Sequence, residues 1–379
     1  MAELDSELEQ AISAIRADLR DEYRKPHTHP WVVGFSGGKD STLVAHLVFE
    51  TLLEIAPDDR RRPVHIVAND TLVESPAVMA HIRRVQEEMR AAIRAWRLPI
   101  EVVTTQPDVD QTFWVNLIGR GYPSPNRMFR WCTERMKIQP TNRYIKEQVA
   151  TSGEAILLLG VRRGESATRS QSVRRYDNGE RLNRHNDLPG CMVYRPILEL
   201  STDQVWEFLA SVPPPWGGTH EALIQLYRDA GGGECPVVTS KDDVPSCGTT
   251  SSRFGCWTCT VVEKDRSLAG FVEAGFREFE PLLEFRDWLV AIRNDPHRRS
   301  AQRRDGRYTV APNGTFIPGP FTFETRREIL ERLLNLERKV GHRLISEDEI
   351  QRIYRIWSED LTKEPVRPGL AARWAVGGG

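Results

Sequence analysis

A short apolar run, a glycine-containing hexapeptide and a helical pattern follow one another near the start of the chain. This order constrains the fold more than any other feature of the sequence. HPWVVGF (29–35) is apolar and rich in β-branched residues, as expected of a buried strand. SGGKDS (36–41) follows it, and STLVAHLVFETLLEI (41–55) has the pattern of a helix. A strand that enters a helix through a glycine loop is typical of a parallel sheet.

The same alternation continues over the first half of the chain. Helical patterns at about 77–97 and 140–150 separate further short apolar runs. These runs are VHIVAND (64–70), IEVVTTQ (100–106) and AILLLGV (155–161). We therefore predict an α/β fold, with a parallel twisted sheet and helices on both faces. Ligands of such sheets bind at the carboxyl ends of the strands.

The chain has 379 residues, which is long enough for two domains. Residues 1–25 have the pattern of a charged amphipathic N-terminal helix. We expect residues 26–200 to form the α/β domain. Residues 201–379 lack the alternation and are loop-rich, with helical patterns at 263–293 and 321–362, and we expect them to carry cysteine ligands.

Charge and composition exclude several classes of protein. Lys plus Arg number 52 against 53 Asp plus Glu, so the chain is not a uniformly basic nucleic-acid coat, although a local basic patch remains possible. The start, MAELDSELEQ, is acidic and lacks the apolar segment of a secretory signal. No apolar stretch is long enough to span a bilayer. We expect a cytoplasmic protein with no membrane partner.

The hexapeptide has the chemistry of an anion-binding loop. Gly37 and Gly38 permit close backbone approach, and the amides at a helix N-terminus favour phosphate. Ser36 and Ser41 offer hydroxyls, and Lys39 adds a positive charge. The alternative is a helix N-cap with incidental glycines.

SGGKDS is not a Walker A loop, and it resembles the PP-loop of the adenine-nucleotide α-hydrolase superfamily. Members of this superfamily cleave ATP between the α and β phosphates, and phosphosulfate (PAPS) reductases share the loop. Two later segments extend the resemblance: Asn69-Asp70, which an ordinary Asx turn also explains, and Gly160-Val161-Arg162, which a solvated arginine pair also explains. The implied nucleotide-binding residues are Ser36, Gly37, Gly38, Lys39, Asp40, Ser41, Asn69, Asp70, Gly160 and Arg162. The implied catalytic residues are Lys39, Asp40 and Arg162.

Six cysteines are unevenly spaced, and four of them lie between 235 and 259. GCWTC (255–259) is a C-x-x-C motif, which suits zinc, an iron–sulfur cluster or a redox dithiol. A zinc site would need a second C-x-x-C or paired histidines nearby, and the sequence has neither, since His220 and His297 are isolated. Cys132 and Cys235 supply two more thiolates for a cluster, and Cys247 is a rival to Cys235. Cys191 is expected to be a small buried residue.

Five segments together resemble DndC-type sulfurtransferases of DNA phosphorothioation systems, or the related SspD type. They are SGGKDS, RWCTERMKIQP, LLLGVRRGESATRSQS, GGGECP and RFGCWTCTVVEKDRS, within residues 25–290. The resemblance implies a [4Fe-4S] cluster, ATP pyrophosphatase activity with Mg²⁺, and sulfur transfer to DNA. It also implies a cysteine desulfurase and other subunits of the system as partners. Members of the family are often longer at the C-terminus, so we expect a shorter form. The implied cluster ligands are Cys132, Cys235, Cys256 and Cys259.

Two segments are basic in an otherwise neutral chain. Residues 162–184 hold seven arginines against three acidic residues, and residues 293–307 hold six against two, a balance of +4 in each. Clustered arginine suits phosphate contact, and Trp131, Tyr176 and Trp257 offer stacking surfaces. The alternatives are a solvated loop, a partner surface and, for the aromatic residues, a place in the core. The predicted DNA contacts are Arg163, Arg169, Arg174 and Arg175.

The resemblance implies a two-step reaction in which a DNA phosphate is adenylylated and sulfur then displaces AMP. Lys39 and Arg162 would stabilise developing charge, and Asp40 would help to hold Mg²⁺. Three alternatives remain open: a tRNA-thiolating enzyme, a phosphosulfate reductase and a non-catalytic assembly subunit. No cysteine follows residue 259, which argues against phosphosulfate reduction.

Overall fold

A computed structural model describes residues 4–163, 179–230, 254–311, 314 and 316–362. Its main sheet has six strands in the order β3-β2-β1-β4-β6-β5. All neighbouring strands are parallel except β5 and β6. The strands are β1 (Trp31–Gly34), β2 (Val64–Asn69), β3 (Ile100–Thr105), β4 (Ala155–Leu158), β5 (Leu182–Arg184) and β6 (Cys191–Tyr194). The predicted α/β class and the four predicted strands are confirmed.

Helices cover the sheet and form the C-terminal part. In chain order they are α1 (Ser6–Tyr23), α2 (Lys39–Glu54), α3 (Pro76–Trp96), α4 (Trp131–Thr133), α5 (Gln139–Ser152), α6 (Thr202–Ser211), α7 (Glu221–Asp229), α8 (Arg266–Glu273), α9 (Glu280–Ile292), α10 (Phe323–Val340) and α11 (Glu347–Thr362). A π-helical turn, Glu134–Ile138, joins α4 to α5, and another spans Val115–Gly119. A two-stranded hairpin pairs β7 (Thr309–Val310) with β8 (Phe316–Ile317). None of the helices within the described ranges is long and apolar enough to cross a membrane.

The central strands are buried on both faces, which explains their continuous apolar sequence. Every residue of β1 and β4 is buried, whereas the edge strand β3 is only partly buried. One large apolar cluster extends from Leu8 in α1 to Trp357 in α11. The indole N–H of Trp357 donates to the carbonyl of Ile118 at 3.0 Å. The C-terminal helices therefore pack on the same core as the sheet.

Both C-terminal helical patterns are divided in the structure. Gly275, with φ +109°, lies in the turn that follows α8, before α9 begins at Glu280. Gly341, with φ +71°, caps α10 in the left-handed conformation, and α11 begins six residues later. Each glycine provides a backbone conformation that ends a helix, so each predicted helical region contains two helices.

Candidate functional site

The hexapeptide SGGKDS forms a tight turn between the carboxyl end of β1 and the start of α2. The hydroxyls of Ser36 and Ser41 lie 3.1 Å apart, and Ser41 donates to the carbonyl of Gly38 at 3.0 Å. Gly38 is the N-cap of α2, and no side chain caps this helix. The turn is thus held by its own serines, while the helix start presents backbone amides.

Gly37 is required at its position for two reasons. Its φ of +72° is a conformation that other residues rarely adopt. A Cβ atom there would also lie 2.5 Å from Cγ1 of Ile82 in α3. Helix α3 therefore covers the turn directly, and the loop is enclosed on this side.

The three predicted catalytic residues meet in a buried ion cluster. The ammonium of Lys39 lies 2.9 Å from one carboxylate oxygen of Asp40, and the guanidinium of Arg162 bonds the other. Each of these three residues has at most 4% of its surface exposed to solvent. Arg162 also donates to the hydroxyl of Thr202 at 3.0 Å, which fixes its orientation. The two cations and the amides at the start of α2 favour an anionic ligand.

Gly160 explains why the second motif begins with glycine. It follows β4, the parallel neighbour of β1. A Cβ atom on Gly160 would lie 2.7 Å from the carbonyl carbon of Asp40 and 2.8 Å from the amide nitrogen of Ser41. The two motifs therefore pack backbone against backbone, and this contact also brings Arg162 to Asp40.

Asn69 and Asp70 lie at the carboxyl end of β2, where their side chains bind protein atoms. Asp70 accepts from the amide of Leu72 at 2.8 Å, which is the Asx turn considered as an alternative. Asn69 donates to the carbonyl of Met136 at 3.0 Å and accepts from Thr105 at 3.0 Å. Their assignment to the nucleotide stays a prediction.

The C-x-x-C motif lies directly beside this strand end. The amide of Trp257 donates to the carbonyl of Val73 at 3.0 Å, and that of Ser75 donates to Gly255 at 3.2 Å. Cys256 Sγ lies 3.3 Å from the hydroxyl of Thr71. Residues 71–75, which follow β2, therefore hold the cysteine motif at the carboxyl edge of the sheet.

Cys132 lies in α4. The helical segment that follows it contacts β2 through Asn69 and Met136, and Lys137 pairs with Glu74 at 3.4 Å. Cys132, Cys256 and Cys259 are each partly exposed. The two rival fourth ligands, Cys235 and Cys247, lie outside the described residues. Within the described ranges, no group of three or more His, Cys, Asp or Glu side chains is arranged to hold a metal ion.

Cys191 differs from the other described cysteines. It is buried in β6, and burial raises the pKa of its thiol to about 12. The thiol therefore remains protonated at neutral pH, as suits a small core residue.

Of the four arginines predicted to contact DNA, the structure describes one. Arg163 lies just beyond Arg162 and pairs with Glu199 at 2.6 Å, whereas Arg169, Arg174 and Arg175 are outside the described residues. In the second basic segment each arginine donates to a protein acceptor, which favours a structural role. These are Arg293, Arg298, Arg299, Arg303, Arg304 and Arg307.

The expectation that two tryptophans present stacking surfaces is wrong. Trp131 is 6% exposed and Trp257 is 3% exposed, and both pack in the core. Trp131 stacks on Phe113, and Trp257 packs against Trp114. Tyr176 is outside the described residues.

Two residues at the loop were not predicted from the sequence. The hydroxyl of Tyr227 in α7 accepts from the amide of Lys39 at 3.1 Å. His81 in α3 lies against Gly37. Nothing in the sequence around Tyr227 singles it out, because it lies 188 positions from Lys39.

A parallel sheet with a glycine turn and a buried cationic cluster at its carboxyl edge defines an α/β nucleotide-binding protein of the PP-loop kind. Residues 30–262 match the phosphoadenosine phosphosulfate reductase domain family, and the chain belongs to this family. The matched range contains the loop, the Gly160 motif and the C-x-x-C motif.

A relative and several solved structures resemble the chain more distantly. An uncharacterized protein of Methanocaldococcus jannaschii is 27% identical over 192 residues, which are 51% of this chain and 34% of that protein. The chain therefore spans only about a third of the length of this relative. The phosphoadenylyl-sulfate reductase of Candida auris is 13% identical, with a TM-score of 0.33, over 56% of this chain and 91% of that one. The U34-tRNA thiolase NcsA of Methanococcus maripaludis, solved with its [4Fe-4S] cluster, is 11% identical, with a TM-score of 0.35, over 75% of this chain and 80% of that one.

Proposed function

We propose that this protein is an ATP-dependent sulfurtransferase that inserts sulfur into the DNA backbone. It would cleave ATP between the α and β phosphates to activate a DNA phosphate. The observation that carries the proposal is that a glycine turn suited to phosphate and a pair of cysteines lie at neighbouring strand ends, along one edge of the sheet. The phosphate-binding turn follows β1, and the C-x-x-C motif is held by the residues that follow the adjacent strand β2.

The turn at 36–41 suits the pyrophosphate part of ATP. Lys39 and Arg162 carry the positive charge, and the amides at the start of α2 add hydrogen-bond donors. Both carboxylate oxygens of Asp40 are bonded to these cations, so Asp40 positions them. We assign Mg²⁺ to the phosphates themselves and not to Asp40.

The cysteines at the neighbouring strand end suit a [4Fe-4S] cluster. The amide of Cys259 donates to the carbonyl of Cys256 at 2.9 Å, so one tight turn carries two thiols. Cys132 would be the third ligand and Cys235 the fourth. When bound there, the cluster would hold sulfur, delivered by a cysteine desulfurase, beside the nucleotide.

The proposed reaction has two displacements at phosphorus. An oxygen of a DNA phosphate attacks the α-phosphorus of ATP, and the bond to the β-phosphate oxygen breaks, so pyrophosphate leaves. The desulfurase would supply sulfur as a persulfide, and a thiol reductant would release it as sulfide and become a disulfide. This sulfide would then attack the DNA phosphorus, and AMP would leave with the bridging oxygen. Lys39 and Arg162 would offset the charge on the departing pyrophosphate. Arg163, with Arg169, Arg174 and Arg175, would contact the DNA, alone or with the other subunits of a phosphorothioation system.

The test uses anaerobically purified protein with ATP, Mg²⁺, DNA, a cysteine desulfurase, ³⁵S-labelled cysteine and a thiol reductant. We expect AMP, pyrophosphate and label in the DNA backbone, measured as phosphorothioate dinucleotides after nuclease digestion. Lys39→Ala abolishes all three products, whereas Lys146→Ala, at an exposed position on α5, leaves them unchanged. Label in tRNA but not in DNA, with the same ATP cleavage, would replace DNA by tRNA as the acceptor.

Phosphosulfate reduction is a second candidate, because the chain belongs to a family described by that activity. The two candidates differ in their need for ATP. Sulfite released from adenylyl phosphosulfates, without ATP and with a thiol reductant, would establish reduction instead of transfer.

A further inference from the structure

An ordered turn with an exposed apolar tip lies shortly before Cys132 in the chain. Residues 126–129 (NRMF) close this turn through two backbone bonds of 3.2 Å, in which Asn126 and Phe129 each donate to the other. The side-chain carbonyl of Asn126 also accepts from the amides of Met128 and Phe129, at 2.8 Å and 2.9 Å. These hydrogen bonds hold the backbone of the turn in one conformation.

The turn presents two neighbouring apolar side chains to solvent. Met128 is 95% exposed and Phe129 is 38% exposed. A single exposed apolar residue needs no explanation, but here two adjacent ones stand on a turn that is fixed by its own hydrogen bonds. Methionine and phenylalanine are residues that proteins insert against bases, and they are also common at protein interfaces. The tip is therefore suited to contact a partner.

The charge of the surrounding segment favours a polyanionic partner. Residues 111–133 contain three arginines and no acidic residue. Arg120 pairs with Asp110 at 2.7 Å, whereas Arg127, next to Met128 on the turn, is exposed and pairs with no described residue. An exposed guanidinium beside apolar side chains can bind a backbone phosphate while those side chains contact a base. A nucleic-acid strand matches both the charge and the tip, whereas an apolar protein surface would match only the tip.

The turn is anchored to the segment that carries the C-x-x-C motif. The carbonyl of Pro125, which directly precedes the turn, accepts from the hydroxyl of Thr260 at 2.6 Å and from the guanidinium of Arg293 at 3.0 Å. Thr260 directly follows Cys259, and the other end of the turn leads into α4, which contains Cys132. A strand bound on the tip would therefore lie next to two segments that carry predicted cluster ligands.

We propose that the turn formed by residues 126–129 is a contact surface for the DNA that accepts sulfur. Arg127 binds a backbone phosphate, and Met128 and Phe129 pack against a base, so that the acceptor strand is held beside the cysteine segments. This inference rests on the proposed function, since it takes DNA as the acceptor. It adds a contact that belongs to neither of the arginine-rich segments.

The test measures the KM for DNA in the ³⁵S-transfer reaction, with ATP and the desulfurase at saturation. Met128→Ser changes a side chain that is almost fully exposed, and we expect it to raise the KM for DNA about tenfold, as for one lost base contact. Arg127→Ala raises the same KM and also lowers the slope of log KM against log salt concentration by about one, because one phosphate contact is lost. The KM for ATP stays unchanged in both variants.

The matched control removes an exposed apolar residue and an exposed arginine at the opposite edge of the sheet. Trp96 is 58% exposed and ends α3, shortly before the first residue of β3, so it lies at the amino edge of the strands. Arg94, in the same turn of α3, is also exposed. Trp96→Ser and Arg94→Ala should leave the KM for DNA and its salt dependence at their wild-type values.

Three results would overturn the inference while the proposed function stands. One is an unchanged KM for DNA in both turn variants. Another is a higher KM for the desulfurase with no change in the KM for DNA, which would make the turn a protein-docking surface. The third is an equal rise of the KM for DNA in the control variants. If the wild-type protein transfers no label to DNA, the proposed function itself fails, and the inference fails with it.

Discussion

Substitution of Gly160 by alanine tests the contact that joins the two nucleotide motifs. The change adds one methyl group, removes no polar atom and carries no penalty from a positive φ. The new Cβ would lie 2.7 Å from the carbonyl carbon of Asp40 and 2.8 Å from the amide nitrogen of Ser41. Both of these are backbone atoms, so no flexible side chain can move out of the way.

The size of the effect follows from those distances. Carbon atoms in contact normally lie about 3.5–4.0 Å apart, so the end of β4 and the first turn of α2 must separate by about 0.8 Å or more. Such overpacking costs about 1–3 kcal/mol. At about 2.1 cal/mol/K per residue for a chain of 379 residues, Tm falls by roughly 1–4 °C. The displaced amides at the start of α2 would lose at least one hydrogen bond to phosphate. We expect this loss to lower the affinity for ATP about tenfold or more.

Calorimetric ATP titration and differential scanning calorimetry measure the two effects separately. Gly319→Ala is the matched control, because its Cβ would lie 1.9 Å from the carbonyl oxygen of Gln302, again a backbone atom. This glycine packs against Ser300 and Gln302 and not against the turn. We expect the control to lose stability and to keep its affinity for ATP.

Two results would refute the reasoning. One is a Gly160→Ala protein that is less stable but binds ATP as tightly as the wild type. That result would mean that the packing of Gly160 against the turn does not affect ATP binding. The other is an equal loss of affinity in Gly319→Ala, which would assign the effect to stability alone.

Three further predictions follow from individual contacts. Asp40→Asn removes the carboxylate charge that bonds both buried cations, so we expect a loss of about 3–5 kcal/mol in unfolding free energy, measured by urea denaturation, together with loss of pyrophosphate formation. Cys256→Ser lowers the iron content of anaerobically purified protein, whereas Cys191→Ser, at a buried core thiol, retains it; equal iron in both variants contradicts the cluster assignment. Burial, followed by the charge of the neighbouring His46, lowers the pKa of His220 to about 3 in the folded protein. As the pH falls, the unfolded chain therefore binds a proton at this residue before the folded protein does. Stability from this group is complete above pH 6.5 and decreases on acidification by about 1 kcal/mol per pH unit, and His220→Asn should reduce that slope in urea titrations at pH 5–7.

The sequence predicts the centre of the sheet and not its far edge. Strands β1 and β4 are buried on both faces, so they appear as continuous apolar runs that need no partner to be recognised. Strand β5 has three residues, of which Arg184 is exposed. Strand β6 is short and lies in PGCMVYRP, between two prolines. Strand β6 pairs with β4 and β5, and β5 pairs with β6. A local sequence pattern does not contain these partners.

The candidate site also has parts that the sequence predicts and parts that it does not. The turn at 36–41 and the Gly160 motif were predictable, because each needs particular residues at fixed spacing. The roles of Trp131 and Trp257 were not, because an aromatic side chain suits a core and a base-stacking surface equally well. In the basic segment 293–307, Arg293 donates to the carbonyl of Pro125 and Arg304 to the carboxylate of Asp360. These acceptors are distant in sequence, so local charge alone suggested a free basic surface.

Tyr227 shows how the nucleotide turn and the cysteine motif depend on each other. Its hydroxyl accepts from the amide of Lys39, and its ring packs edge-on against Phe254 with centroids 4.6 Å apart. Phe254 directly precedes the C-x-x-C motif, whose other side is held by residues 71–75. The side chain of Tyr227 therefore joins the start of α2 to the segment that carries the cysteines, through one hydrogen bond and one ring contact.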